Sequence, residues 1–94
     1  MIRVILESSG GELAVVGRPG NEAVLCRSNE SLFPLLSQVD TSSYAVFSRG
    51  DMPQLLSELN FLSPEADEHV REVIMLARRC NAEIDTILTF TPFT

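Results

Sequence analysis

Near Asn29 the spacing of the apolar residues changes from every second position to every third or fourth. A chain that does this once, with turn residues dividing each half, can pair strands first and then lay helices across them. It has few other ways to bury its apolar side chains. Ninety-four residues, 45% of them hydrophobic and 21% charged, suffice for one core and not for two. A domain of this size buries only about 60 to 65% of its unfolded surface. The expectation is a single domain over residues 1–94.

The first thirty residues read as three strands in series. Ser8-Ser9-Gly10-Gly11 and Arg18-Pro19-Gly20-Asn21 are the turns between them. Pro then Gly at the centre of the second turn suits a type II geometry, because Pro fixes φ at one position and Gly accepts positive φ at the next. With both turns closed, Glu12 faces Arg27, Ala14 faces Leu25 and Val16 faces Ala23. One face then carries Ile2, Val4, Leu6, Leu13, Val15, Val24 and Cys26. The other carries Arg3, Ile5, Glu7, Glu12, Ala14, Val16, Ala23, Leu25 and Arg27. A slip of one residue would exchange the two faces of a strand.

After Asn29, Leu32, Leu35, Leu36 and Val39 recur at helical spacing, so residues 32–39 are expected to form a short helix capped by Ser31. Tyr44 to Ser48 reads as a fourth strand. Asp51 is expected to cap a helix striped with Leu55, Leu56, Leu59 and Leu62, with Gln54 reaching back to complete the cap. Ser63-Pro64-Glu65 carries the strongest helix-start signal, predicting a helix over 64–80 that ends on Arg78 and Arg79. Asp67 and Glu68 suit the positive end of its dipole, its buried arc holds Ala66, Val70, Val73, Ile74, Leu76, Ala77 and Cys80, and Met75 falls on the polar side. Thr86 to Thr91 closes the chain as a strand. The fold class expected is α+β, with a largely antiparallel sheet of four or five strands and two main helices packed on one face.

Chemistry finds little purchase. The chain has no Lys, which removes a phosphate-loop lysine or a Schiff base, and one His with two Cys cannot complete a zinc site without acidic help. His69 and Cys80 share a helix arc but stand roughly 16 Å apart along the axis, too far for a nucleophile and its base. His69 is therefore expected to be a packed, hydrogen-bonded histidine. A small enzyme using His69 with a carboxylate is the reading that His69→Gln would test. Glu7 and Glu12 can lie side by side across the first hairpin, yet no pocket is predicted around them. The glycine pairs match no phosphate-binding spacing. No cofactor and no metal are expected. Cys26 and Cys80 are expected as reduced thiols.

Thirteen acidic residues against seven Arg give a net charge of −6. Such a field repels phosphate backbones and steers the chain toward a basic protein. Met1 to Leu6 make a short apolar run with one Arg, ended by Glu7 and Ser8, which is not the pattern of a secretory signal. No stretch approaches the roughly 20 apolar residues of a membrane span. A cytoplasmic protein is the expectation. The second sheet face, apolar at Ile5, Ala14, Val16 and Leu25 and edged by Glu7, Glu12 and Arg27, has the composition of a docking surface. Met75 is a second candidate contact.

The run from Tyr44 to Leu56 passes from a strand through Arg49-Gly50-Asp51-Met52-Pro53-Gln54 into a Pro-bearing helix, and an acidic, Arg-ended helix comes after it. In this it resembles small acidic immunity proteins of bacterial toxin systems, over about the second half of the chain and without a diagnostic motif. The resemblance implies a non-enzymatic cytoplasmic protein that neutralises a basic toxin domain, often a nuclease, by direct binding. Its partner surface is expected at Ile5, Glu7, Glu12, Ala14, Leu25 and Arg27. The alternative is a homo-oligomeric structural or regulatory module that pairs through the same face or through the Thr86 to Thr91 strand.

Overall fold

A computed structural model describes residues 1–93. Seven-residue strands open and close the fold: β1 (Ile2–Ser8) pairs with β2 (Gly11–Gly17) on one side and with β4 (Thr86–Pro92) on the other. The short β3 (Ala45–Ser48) pairs with β4, giving an antiparallel sheet in the order β2-β1-β4-β3. Two helices, α2 (Met52–Asn60) and α3 (Glu68–Ala82), cover one face. The α+β architecture expected from the change of period is the one observed, with four strands.

The third strand expected near residues 22–27 is absent. Pro19-Gly20 does turn the chain, with Gly20 at φ 80°, but Glu22–Leu25 beyond it form one turn of helix, α1. Leu25 drops from it into the core, and Arg27 donates back to the Ala23 carbonyl. Residues 32–39 make only a 3-10 turn at Leu36–Gln38, with Ser37 N–H bonded to the Phe33 carbonyl ahead of it. The strand over 86–91 is correctly placed but interior, flanked on both sides, so it offers no free edge.

α2 starts where expected, directly after Asp51, whereas α3 starts at Glu68 and not at Pro64. Asp51 does not cap from its own position: its carboxylate reaches back to the Ser48 N–H at 3.0 Å, and Gln54 instead donates to Glu58 at 2.9 Å. Ser63 adopts a left-handed backbone, φ 56°, so the Pro64 segment forms a turn instead of the first turn of a helix. The cap of α3 is Asp67, which accepts from the N–H groups of His69 and Val70 at 2.9 and 3.2 Å. Arg71 ties that turn down by donating to the Pro64 carbonyl at 2.6 Å.

The core lies between sheet and helices. Ile2, Val4 and Leu6 of β1, Leu88 and Phe90 of β4, and Phe47 of β3 meet Met52, Leu55 and Leu59 of α2 and Val70, Val73, Ala77 and Cys80 of α3. Phe47 and Phe90 pack edge to face with centroids 5.6 Å apart. Among the described residues no helix is long and apolar enough to cross a membrane.

Candidate functional site: the open face of the sheet

Strand alternation puts every second side chain of the sheet on the side without helices. One cross-strand row there runs through all four strands: Val15 opposite Ile5, Ile5 opposite Thr89, and Thr89 opposite Val46. The next row holds Glu12, Glu7, Ile87 and Ser48 in the same order. Leu13, Val15, Val46 and Ile87 are exposed, whereas Ile5 and Thr89 are walled in by their neighbours on the central strands. The result is a row of largely apolar side chains across the helix-free face of the sheet, partly open to water at Leu13, Val15, Val46 and Ile87.

A β-bulge decides which residues belong to it. With the tight turn at Ser9-Gly10, regular pairing would set Leu13 against Leu6 and Val15 against Val4. The register instead shifts between Leu6 and Glu7, so that Ala14 meets Leu6 and Val16 meets Val4. Leu13 and Val15 thus leave the core face for the open one, and Ala14 and Val16 turn toward the helices. Of the six residues expected at a partner surface, Ile5, Glu7 and Glu12 come together on the open face. Ala14 lies half-buried on the other side, Leu25 is wholly buried, and Arg27 folds back on α1. Val15, Val46 and Ile87 replace them. Their alternation was visible within each strand, but their meeting depends on the pairing order.

Glu7 and Glu12 are direct cross-strand partners, as the hairpin reading anticipates. Like charges so placed are unfavourable. Glu7 accepts from the Thr89 hydroxyl at 3.0 Å, which fixes it at the margin of the apolar band, and Glu12 is exposed beside it. At the far end Arg3 lies over the Phe93 ring, 5.0 Å from its centroid. The band therefore runs between a negative margin and a positive corner.

His69 sits elsewhere, enclosed with 2% of its surface exposed. Its Nε2 is 2.9 Å from Asn21 Nδ2, and its Nδ1 is 3.2 Å from Glu72 Oε1. Glu72 also faces Arg18 at 3.6 Å. None of the described cavities is lined by His69. Among the described residues no cluster of three or more His, Cys, Asp or Glu converges on a point where a metal could sit. Cys26 and Cys80 are free thiols, and burial pushes both above the ordinary thiol range.

Met75 is exposed on the outer side of α3, where Arg71, Ile74, Arg78, Asn60, Pro64 and Glu65 surround a shallow groove of about 380 Å³. Comparison with protein-family models, curated proteins and solved structures finds no match to the chain.

Proposed function

We propose that the protein acts by binding, as a cytoplasmic immunity-type inhibitor that engages a basic toxin domain through the open face of its sheet. The observation that carries this reading is the uncovered row Val15-Ile5-Thr89-Val46 with paired carboxylates at its margin, on a chain of net charge −6. An apolar centre supplies the area that drops out of water. The acidic margin steers a cationic partner and disfavours others. The cost of placing Glu12 beside Glu7 has no return among the described residues, where Glu7 accepts from Thr89 and Glu12 finds no donor. A basic residue of a partner would relieve it.

Reversing both charges, with Glu7→Arg and Glu12→Arg together, tests the reading. Association with a purified basic nuclease domain of a toxin system is expected to slow about tenfold or more at low salt and to lose most of its salt dependence, with circular dichroism unchanged. An association rate unaffected by the double reversal removes this face as the binding surface. Sedimentation of the protein alone separates the homo-oligomeric alternative, which requires a mass above that of one chain.

A further inference from the structure

We propose that the partner contributes an extended basic segment that joins the sheet as a fifth strand along the free edge of β2, with a Lys or Arg placed against Glu12. The inference rests on the binding reading above and specifies the contact. β2 pairs only with β1, so the N–H and C=O groups of alternate residues point away from the sheet. Gly11, Glu12, Leu13, Val15 and Gly17 are exposed along it. Edge strands of this length are ordinarily blunted by Lys, Pro or an overlying segment. β2 has no Lys and no Pro. Its bulge at Leu13 interrupts the edge once and leaves Ala14 to Gly17 regular.

Charge distinguishes this edge from the other. β3 is four residues long and runs directly into Arg49, whose guanidinium donates to the Asn81 carbonyl at 2.9 Å. β2 runs into Arg18 in turn, whose guanidinium faces Glu72 at 3.6 Å, whereas at β3 the charges of Arg49 and Asp51 offset one another and a cationic strand gains little. At β2 it meets Glu12, with Glu7 next to it and no cation of β1 or β2 closer in register than Arg3, which pairs with Gly17 at the other end. An added strand would also carry the row Val15-Ile5-Thr89-Val46 one position further. Backbone pairing supplies affinity in such docking, and alternate side chains supply selectivity.

Amide hydrogen exchange of the full chain tests the proposal, with a capped peptide alternating Arg and Val as the probe and one alternating Glu and Val as the control. Expected is a slowing of about tenfold or more at β2 amides with saturating Arg–Val peptide, unchanged exchange at β3, and peptide affinity lowered about tenfold by Glu12→Arg. If the Arg–Val peptide perturbs Ile5, Val46 and Ile87 without slowing any β2 amide, strand addition is overturned and the basic-partner reading stands. Equal binding of the Glu–Val peptide overturns the charge argument beneath both. No perturbation by either peptide overturns strand addition.

Discussion

Asn21 and His69, 48 positions apart, share one hydrogen bond whose direction is set by the backbone of Ile2. The Asn21 Oδ1 accepts from the Ile2 N–H at 2.7 Å, and its Nδ2 donates to the Ile2 carbonyl at 2.7 Å. The amide cannot be turned over without losing both. Its remaining Nδ2 hydrogen points at His69 Nε2, which must accept, so the imidazole hydrogen lies on Nδ1 and faces Glu72. The turn at Arg18 to Asn21, the start of β1 and the first turn of α3 are thereby joined by one buried polar chain.

The two residues should therefore respond differently to substitution. His69→Leu leaves one buried amide hydrogen of Asn21 without an acceptor and is expected to cost about 1–3 kcal/mol. Asn21→Ala strands both the N–H and the C=O of Ile2 and is expected to cost more. His69→Gln restores an acceptor oxygen and should recover part of the loss. Urea midpoints at constant m-value measure all three. Equal midpoints for His69→Leu and wild type would show that the bond makes no contribution to stability.

Glu58 is another buried polar anchor. Its carboxylate, 1% exposed, accepts from the N–H groups of Leu35 and Leu36 at 2.9 to 3.2 Å and from Gln54. It holds the segment after Pro34 against α2, where a helix was expected from the leucine spacing. Glu58→Ala orphans those N–H groups and should cost about 1–3 kcal/mol or more. The Leu36 amide should lose its exchange protection ahead of the α3 amides. Loss of protection spread evenly over the chain would instead mean that Glu58 serves the core as a whole.

Both thiols lie above the ordinary range because burial penalises the thiolate. For an acid whose folded value is raised, the stabilisation is complete below the unfolded value of 9.0 and declines as pH climbs from there toward the folded value. Native alkylation by iodoacetamide at neutral pH should be slow at both, with half-buried Cys26 reacting before wholly buried Cys80. Replacing both by Ala should flatten the fall in urea midpoint as pH rises above 9.0. Rapid modification of Cys80 in the native protein would contradict its burial.

Asp40 provides the opposite sign on the acid side. The N–H groups of Ser42 and Ser43, at 2.6 and 2.8 Å, hold its carboxyl below the usual range. The stabilisation this gives is present above the ordinary value of 3.8 and is lost as pH falls from there through the folded value. Asp40→Asn should lower neutral-pH stability slightly, because the amide accepts those N–H groups less strongly than the carboxylate, and should remove a part of the acid sensitivity. An acid unfolding profile identical to wild type would show that the turn has no share in it.

Local signals in the sequence marked most elements, and long-range contacts set aside the rest. The alternation of Ile2 to Leu6 and of Thr86 to Thr91 was enough to place β1 and β4, because each residue choice agreed with the pleat. The turn at Pro19-Gly20 was legible too. The single helical turn after it was not, since Asn21 is held by Ile2 and His69, neither of them near in sequence. Asp67 was visible as an acid of the first turn, yet nothing local showed that Ser63 would take a left-handed backbone. At the candidate site the carboxylate pair followed from the hairpin. The apolar residues did not, because one bulge exchanged the faces of β2.

Val15 and Leu25 make the sharpest test of the open face, because each lies on the side opposite to the one the hairpin pattern gives it. Leu25 is wholly buried in the core, and truncation to Ala should cost about 2–5 kcal/mol through lost burial and the cavity left behind. Val15 stands on the uncovered side of an edge strand, where Thr keeps the β-branched shape and meets water without a desolvation cost. Val15→Thr should stay within about 0.5 kcal/mol of wild type, while Val16→Thr, facing the helices, should cost more. A Val15 variant as damaged as the Leu25 variant would mean that something covers this face, and the binding surface would have to be sought on the helices instead.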